Sequence, residues 1–276
     1  MSAAVSPPDL MIESRDLHFE DATEAPRWWH GGDPVVTAYF NALSASFPLG
    51  ERYFIDAVRR YRKCCDPRLQ EQIAAFIAQE SLHTREHIAF NRIAAGRGYD
   101  FSRIDAFLKG RFTWARSRRP LEQLASTIAL EHFTAILAHA LLSDERHLDG
   151  APPDIQRLWR WHAIEEIEHK AVAYDTFLAA TQNFSGLRRW WLRSHVMAIT
   201  TVLFFHEIVF STREFLRQDN MNNFRSWRKF LHYVFVQPGI LRAVLGSYLT
   251  YYKPGFHPWR VDDRALIAEF EPSLAR

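Results

Sequence analysis

The sequence predicts an all-α protein. Three observations carry that expectation. Apolar residues recur at the 3.6-residue spacing of a helix over long segments. Proline and glycine stand where helices would begin and end. No strand-like alternation of any length, internal repeat or low-complexity tract interrupts the pattern. The 276 residues, 47% of them hydrophobic, suffice for one large core. The domain expectation is an extended N-terminal arm over residues 1–34, where periodicity is lacking and Pro7, Pro8 and Pro26 occur, followed by a single helical domain over residues 35–276.

Phe47, Phe54, Val58 and Tyr61 form a stripe that marks a first helix from about Phe47 to Tyr61. Pro67 suits the first turn of a second helix, which carries Ile73, Phe76, Phe90 and Ala94 and stops at Gly96 or Gly98. The connection from Gly98 to Arg119 is rich in Arg and Lys and has room for a short helix. Pro120 opens a third helix, with Leu124, Ile128, Ala135, Ala138 and Leu142 on one side. Gly150, Pro152 and Pro153 break the chain before a fourth, from about Asp154 to Gln182, aligned on Ile155, Leu158, Val172 and Thr176. Two further apolar helices follow Gly186, near Leu187–Leu216 and Phe224–Tyr252, the last interrupted by Pro238-Gly239.

The 34 basic and 32 acidic residues leave a formal net charge of +2, which gives no reason to expect a nucleic-acid partner. Cys64 and Cys65 are adjacent, a geometry that rarely bridges, so a reducing, cytoplasmic location is expected. The first thirty residues carry Glu13, Asp16, Glu20, Asp21 and Glu24 without an apolar run, which does not read as a signal peptide.

Each of the first four helices breaks its own apolar stripe with ionisable residues. Glu51 stands between Phe47 and Phe54; Glu80, His83 and His87 between Phe76 and Phe90; Glu131 between Ile128 and Ala135; and His162, Glu166 and His169 between Leu158 and Val172. Burying an unpaired carboxylate is costly, so proteins avoid it unless the charge is paired or metal-bound. Composition alone gives about one Glu-x-x-His match, so the two pairs, Glu80-His83 and Glu166-His169, carry little by themselves. The order across four helices carries more: Glu, Glu-x-x-His, Glu, Glu-x-x-His is the ligand order of carboxylate-bridged dimetal bundles. The Glu51-to-Glu80 and Glu131-to-Glu166 separations each fit a helix, a short turn and a return, and the longer Glu80-to-Glu131 separation fits the crossover of a ferritin-like bundle. The fold expectation is therefore a ferritin-like four-helix bundle with a dimetal centre and two additional C-terminal helices. Oxygen and imidazole ligands suit iron or manganese better than copper, and the lack of thiolates disfavours structural zinc. The expected cofactor is two iron ions, with manganese in place of one of them left open.

The expected metal set is Glu51, Glu80, His83, Glu131, His162, Glu166 and His169. His87 extends the second stripe by a turn and is read either as a further ligand or as a hydrogen-bonding partner behind the ligands. It should share one end of the cluster with His162, because the second and fourth helices run antiparallel. Glu165 is expected to support the ligands as a hydrogen-bond acceptor, and Asp175 to orient a histidine of the same helix. Glu168 is expected in solvent or in an ion pair, and Glu86 and His132 away from the centre.

The stretches Phe47-Pro48-Leu49-Gly50-Glu51, Gln79-Glu80-x-x-His83-x-x-x-His87, Trp161-His162-x-x-Glu165-Glu166-x-Glu168-His169-Lys170 and Pro254-Gly255-Phe256-His257-Pro258-Trp259 resemble the bacterial family named "predicted metal-dependent hydrolase", over nearly the whole chain. The ligand order also resembles that of the di-iron arylamine oxygenases, such as p-aminobenzoate N-oxygenase, whose His-x3-Glu-x2-His is matched by His162, Glu166 and His169; His87 departs from that pattern.

Three functions are compatible with these residues. The first is a non-haem di-iron oxidoreductase that activates dioxygen to oxidise or oxygenate a small organic or hydrophobic substrate, with an unidentified electron donor. Thr127, Thr134, Ala135 and Ala138 around Glu131 would leave space for oxygen and substrate, or simply allow close helix packing. The second is a dimetal hydrolase using an acidified water. The third is a non-enzymatic iron-binding protein. Val196 to Phe205 is too short an apolar run to cross a bilayer, which needs about 20 residues. The preceding Leu187–Arg193 stretch mixes Arg with Trp. Either this helix packs on the bundle, or it makes a peripheral contact with the inner membrane face. A homodimer is compatible with the sequence and is not specified by it.

Overall fold

The computed structural model describes residues 6–7, 10–19 and 25–274, and no strand occurs among them. The helices are α1 (Pro34–Tyr61), α2 (Pro67–Gly96), α3 (Ser102–Arg116), α4 (Pro120–Ser143), α5 (Pro153–His169), α6 (Val172–Ala180), α7 (Gly186–Gln218), α8 (Phe224–Phe235), α9 (Ile240–Thr250) and α10 (Arg264–Phe270). Local chemistry sets the boundaries. Asp33 and Asp66 accept from backbone amides of the first turns of α1 and α2, and a proline fills the first helical position in each. Ser185 and Asn223 cap α7 and α8 in the same way.

α1 packs along α2 and α4 along α5, and the two pairs face each other through α1–α4 and α2–α5 contacts. α3 lies on the crossover between them. α7 lies across α1 and α4, α9 joins it on α4, and α8 bridges α1 and α9. The apolar core surrounds the bundle axis, with Phe40, Ile73, Phe76, Leu124, Ile155 and Trp161 all buried.

Three elements differ from the sequence expectation, and one interruption follows it. α1 begins at Pro34, well before Phe47. Every residue from Val35 to Ser46 is buried, so this half of the helix has no polar face and no periodic stripe to read. The expected fourth helix is two, α5 and α6, broken at Lys170-Ala171. The buried Lys170 ammonium donates to the Val261 carbonyl at 2.8 Å and to Asp263 at 2.5 Å, which ties the break to the C-terminal segment. As expected, the last apolar helix is interrupted at Pro238-Gly239, which divides it into α8 and α9, with Gly239 at φ 80°. α10 was not expected, and none of its residues is buried.

Residues 1–5, 8–9 and 20–24 of the expected arm lie outside the described residues. Residues 10–19 carry no regular element and cross α2 and α5: the Leu17 carbonyl accepts from Arg85 at 2.7 Å, and Phe19 meets Trp161 at 5.4 Å between ring centroids. Residues 27–32 turn rather than extend. They bury Trp29, which donates to Asn41 at 2.9 Å.

Candidate metal centre

All seven expected ligands are buried, and the structure brings them into one cluster between α1, α2, α4 and α5. Glu80, Glu131, Glu166 and His169 offer atoms within 4.8 Å of one another, and so do Glu51, Glu80 and His83, and His83, His162 and Glu166. His169 Nε2 stands 3.2 Å from Glu80 Oε1 and 3.6 Å from both Glu131 Oε2 and Glu166 Oε2. His162 Nε2 is 2.8 Å from Glu166 Oε1, and His83 Nδ1 is 3.4 Å from the same oxygen. Two ligands of one metal, each about 2.1 Å away and at a right angle, stand about 3 Å apart, so these separations suit shared coordination.

The orphaned atoms point the same way. Both oxygens of Glu80 and of Glu131, Glu51 Oε1, Glu166 Oε2, His83 Nδ1 and His169 Nε2 are buried without a hydrogen-bond partner. Buried polar groups left this way each cost on the order of 1–3 kcal/mol. Eight such atoms converging on one volume fit cations that the side chains would hold.

Hydrogen bonds behind the ligands fix which nitrogen each histidine presents. Glu165 accepts from His83 Nε2 at 3.0 Å, so Nδ1 is the nitrogen turned toward Glu166, 3.4 Å away, and the one that would be bared to a metal once His83 gives up its second proton. Gln79 donates its amide to the Glu13 carbonyl at 3.0 Å and to Glu168 at 2.8 Å. Its oxygen therefore accepts from His169 Nδ1 at 2.9 Å, and His169 Nε2 turns to the carboxylates.

His162 is set by a longer chain that begins at a proline. Pro48 lies inside α1 and has no N–H to give the Ser44 carbonyl four residues earlier. Asn91 Nδ2 fills that place at 3.1 Å. A carbonyl only accepts, so the Asn91 amide cannot be turned round, and its oxygen takes the Ser44 hydroxyl proton at 2.9 Å. Ser44 Oγ must then accept from His87 Nδ1 at 2.9 Å. The bare His87 Nε2 accepts from His162 Nδ1 at 2.5 Å. His162 Nε2 is left with its lone pair toward Glu166. His87 thus shares one end of the cluster with His162, as the antiparallel geometry requires; it accepts from His162, and Glu51, His87 and His162 also offer atoms within 4.8 Å of one another.

The electrostatics of the protein alone are those of a site that holds protons where cations belong. Burial drives Glu51 and Glu131 well above the usual carboxylate range. Burial opposes charge on His83 and His169 as well, but hydrogen bonds from His83 to Glu165 and Glu166 raise it to about 10, and the pull of Glu166, Glu80 and Glu131 raises His169 far above its ordinary value. His162 is lowered by burial and by the neighbouring His83. Metal binding would displace the protons on His83 and His169.

Of the other expected residues, Glu168 is buried and ion-paired with Arg15 at 2.6 Å. Glu86 bonds Arg85 and the Phe19 amide, and His132 meets the Ser247 carbonyl, both away from the cluster. Asp175 does not orient a ligand histidine. It lies on α6, beyond the break, and accepts from His257 at 2.9 Å and Ser6 at 2.7 Å. At i+6 from His169 and i+9 from Glu166, Asp175 falls on a side of the helix other than the ligand face. Sequence reasoning passed over Thr84, which donates to Glu51 Oε2 at 2.7 Å, and gave no role to Gln79, Ser44 and Asn91. Gln79 adjoins Glu80 and so carries a local sequence signal, whereas Ser44 lies in the part of α1 that shows no stripe.

An apolar cleft of about 540 Å³, counting space open to solvent, reaches the centre at His162 and Glu166. Tyr39, Phe40, Leu43, Phe47, Leu141 and Trp159 line it, with Thr134 and Ala138 on the α4 side. Ala135 lines a different cleft, beside His132 and Lys170. A second opening touches Glu51 and contains Arg111 and Glu207; it shares Phe47, Thr134 and Phe204 with the first.

The profile of the family described as "Predicted metal-dependent hydrolase" matches residues 13–262, a span that includes every residue of the cluster. No curated protein and no solved structure matches the chain.

Proposed function

The chain belongs to the predicted metal-dependent hydrolase family, and we propose that it hydrolyses a substrate with a substantial apolar portion at metal ions held by Glu51, Glu80, His83, Glu131, His162, Glu166 and His169. The observation that carries the substrate class is the apolar cleft that ends on two of these residues, His162 and Glu166. When bound, a pair of divalent ions supplies Lewis-acid polarisation and a water of lowered pKa. The protein's own residues do the rest. Four carboxylates balance the charge of two divalent cations. Phe40, Phe47 and Trp159 hold the apolar portion and exclude bulk water from the carbonyl or phosphoryl group placed beside Glu166. Thr84 anchors Glu51 through Oε2, which leaves the unpartnered Oε1 of Glu51 to the metal ions.

The test uses chelator-treated protein reloaded with zinc, manganese or iron and offered nitrophenyl esters of short and long acyl chains without oxygen. The expected result is chelator-sensitive hydrolysis with KM falling as the chain lengthens, and a loss of about 100-fold or more in Glu166→Gln. Hydrolysis indifferent to the chelator, or none with any metal, would sink the proposal.

A second reading, dioxygen activation by two irons, is favoured by one observation: a ligand set of carboxylates and imidazoles, with no thiolate, spread over four helices as in di-iron bundles. Stoichiometric oxygen consumption by the reduced, iron-loaded protein would support it, and it requires an electron donor that remains to be identified.

A further inference from the structure

The outer face of α7 is not explained by the bundle. Its inner face packs on α1 and α4 and buries Met197, Ile208 and Phe215. The opposite face presents Trp191, Ile199, Val202 and Val209, which are 59%, 42%, 69% and 41% exposed. With the exposed His195 and His206 between them, these residues recur at i, i+4, i+8, i+11, i+15 and i+18, a single helical stripe about 27 Å long. A helix facing water carries charges along such a stripe. This one carries no Lys, Arg, Asp or Glu from Trp191 to Val209. Arg188 precedes it by one turn and Arg213 follows it by one, both exposed and neither with an acidic partner among the described residues. α9 widens the patch. Tyr248 Oη stands 3.0 Å from Thr201 Oγ1 of α7, and the neighbouring Leu245 and Leu249 are 54% and 55% exposed.

We propose that this face docks on an anionic lipid bilayer. α7 lies in the plane of the interface, its apolar stripe at the boundary between headgroups and acyl chains and its terminal arginines on the phosphates. An 18-residue window of α7 has a mean hydropathy of 1.4, enough by composition for a membrane span. Its inner face is committed to the bundle, so the helix lies on the bilayer rather than across it. The charges select the partner. Every exposed acidic or basic side chain on α7, α8 and α9 is basic, from Arg188 and Arg213 to Arg228 and Arg242, while Glu207 and Glu214 are buried. A two-fold pairing of this face with a second copy would set arginine against arginine at both ends of the stripe, with no exposed acid on these helices to compensate. Anionic headgroups meet both the apolar and the basic parts. Phe204 of α7 and Ile240 at the start of α9 also wall the apolar cleft that reaches His162 and Glu166. A docked protein would draw apolar substrate from the bilayer; that extension alone rests on the function proposed above.

The test is co-sedimentation of the full chain with phosphatidylglycerol–phosphatidylcholine vesicles and with phosphatidylcholine alone, beside sedimentation velocity without lipid. The expected result is binding to the anionic vesicles at low salt. It should fall about tenfold or more in Ile199→Glu/Val202→Glu and about 30-fold or more in Arg188→Glu/Arg213→Glu, because each arginine near an anionic surface contributes about 1 kcal/mol, or roughly fivefold. All variants should keep their helical circular dichroism and metal content. No binding to anionic vesicles, or binding unchanged in Ile199→Glu/Val202→Glu, overturns the proposal. So does a lipid-free dimer that Val202→Glu dissociates while vesicle binding is absent, since the face then belongs to a second copy. Hydrolysis of a water-soluble ester by the same variants separates failure of docking from failure of the catalytic reading.

Discussion

Glu131→Leu should make the metal-free protein more stable and shrink the further stability that metal adds. Glu131 sits in the middle of α4, 1% exposed, with both carboxylate oxygens buried and lacking a hydrogen-bond partner. Its nearest cation is His169, at 3.6 Å, and burial drives its pKa well above the carboxylate range. Without metal it is therefore a buried polar group with poor compensation, and a leucine of similar volume removes that cost. Replacement of buried ionic groups by apolar ones is often stabilising by about 1–4 kcal/mol. His169 keeps Glu80, at 3.2 Å, so no buried charge is stranded. The expected gain is about 1–3 kcal/mol in the metal-free state, or a few degrees in Tm for a chain of this size. With metal present that gain is offset. A ligand at 100 times its Kd stabilises by about 2.7 kcal/mol, and the variant, short of one ligand, forfeits part of that. Urea unfolding of chelator-treated and metal-loaded samples, with metal content measured on the same preparations, reads both terms. The reasoning fails if the metal-free variant is destabilised by more than about 2 kcal/mol, which would make Glu131 a structural group, or if it retains the full metal content of the parent.

Ser44→Ala breaks the chain of hydrogen bonds from Asn91 to His162 without touching a ligand. Metal affinity should drop about 10- to 100-fold, and NMR of the ring nitrogens should show His162 in mixed tautomers; unchanged affinity with a single tautomer would dismiss the chain. Glu207, buried beside Arg111, is raised by burial from its ordinary 4.5 to about 7, against the pull of Arg111 and a hydrogen bond from Ser46. The folded protein therefore binds this proton more tightly than the unfolded chain. The stability it contributes is full below pH 4.5 and is lost as the pH rises to about 7, a change of roughly 3 kcal/mol. Subtracting the urea stability of Glu207→Gln from that of the parent at each pH should reveal this slope, and a difference independent of pH would refute it.

The sequence by itself picked out the carboxylates and histidines that converge in the candidate centre and their distribution over four helices. A helix places i, i+3 and i+4 on one face whatever surrounds it, so a carboxylate inside an apolar stripe is legible without coordinates. Glu51, Glu80, Glu131 and Glu166 were read in that way, with the histidines one turn from them. The same local signal fails where a helix is buried all round, which is why the first half of α1 escaped notice, and with it Ser44. It fails again at Lys170, where a distant partner, Asp263, holds a break that neither proline nor glycine announces. Which nitrogen of each histidine faces the centre was decided only by the tertiary structure. The deciding groups, Glu165 for His83, Gln79 for His169, and Asn91 with Ser44 for His87 and His162, act across helices whose relative placement no local spacing encodes. The same holds for α7. Hydropathy marks this helix as apolar but not the side that the bundle covers; packing on α1 and α4 made that choice and left Trp191, Ile199 and Val202 outside.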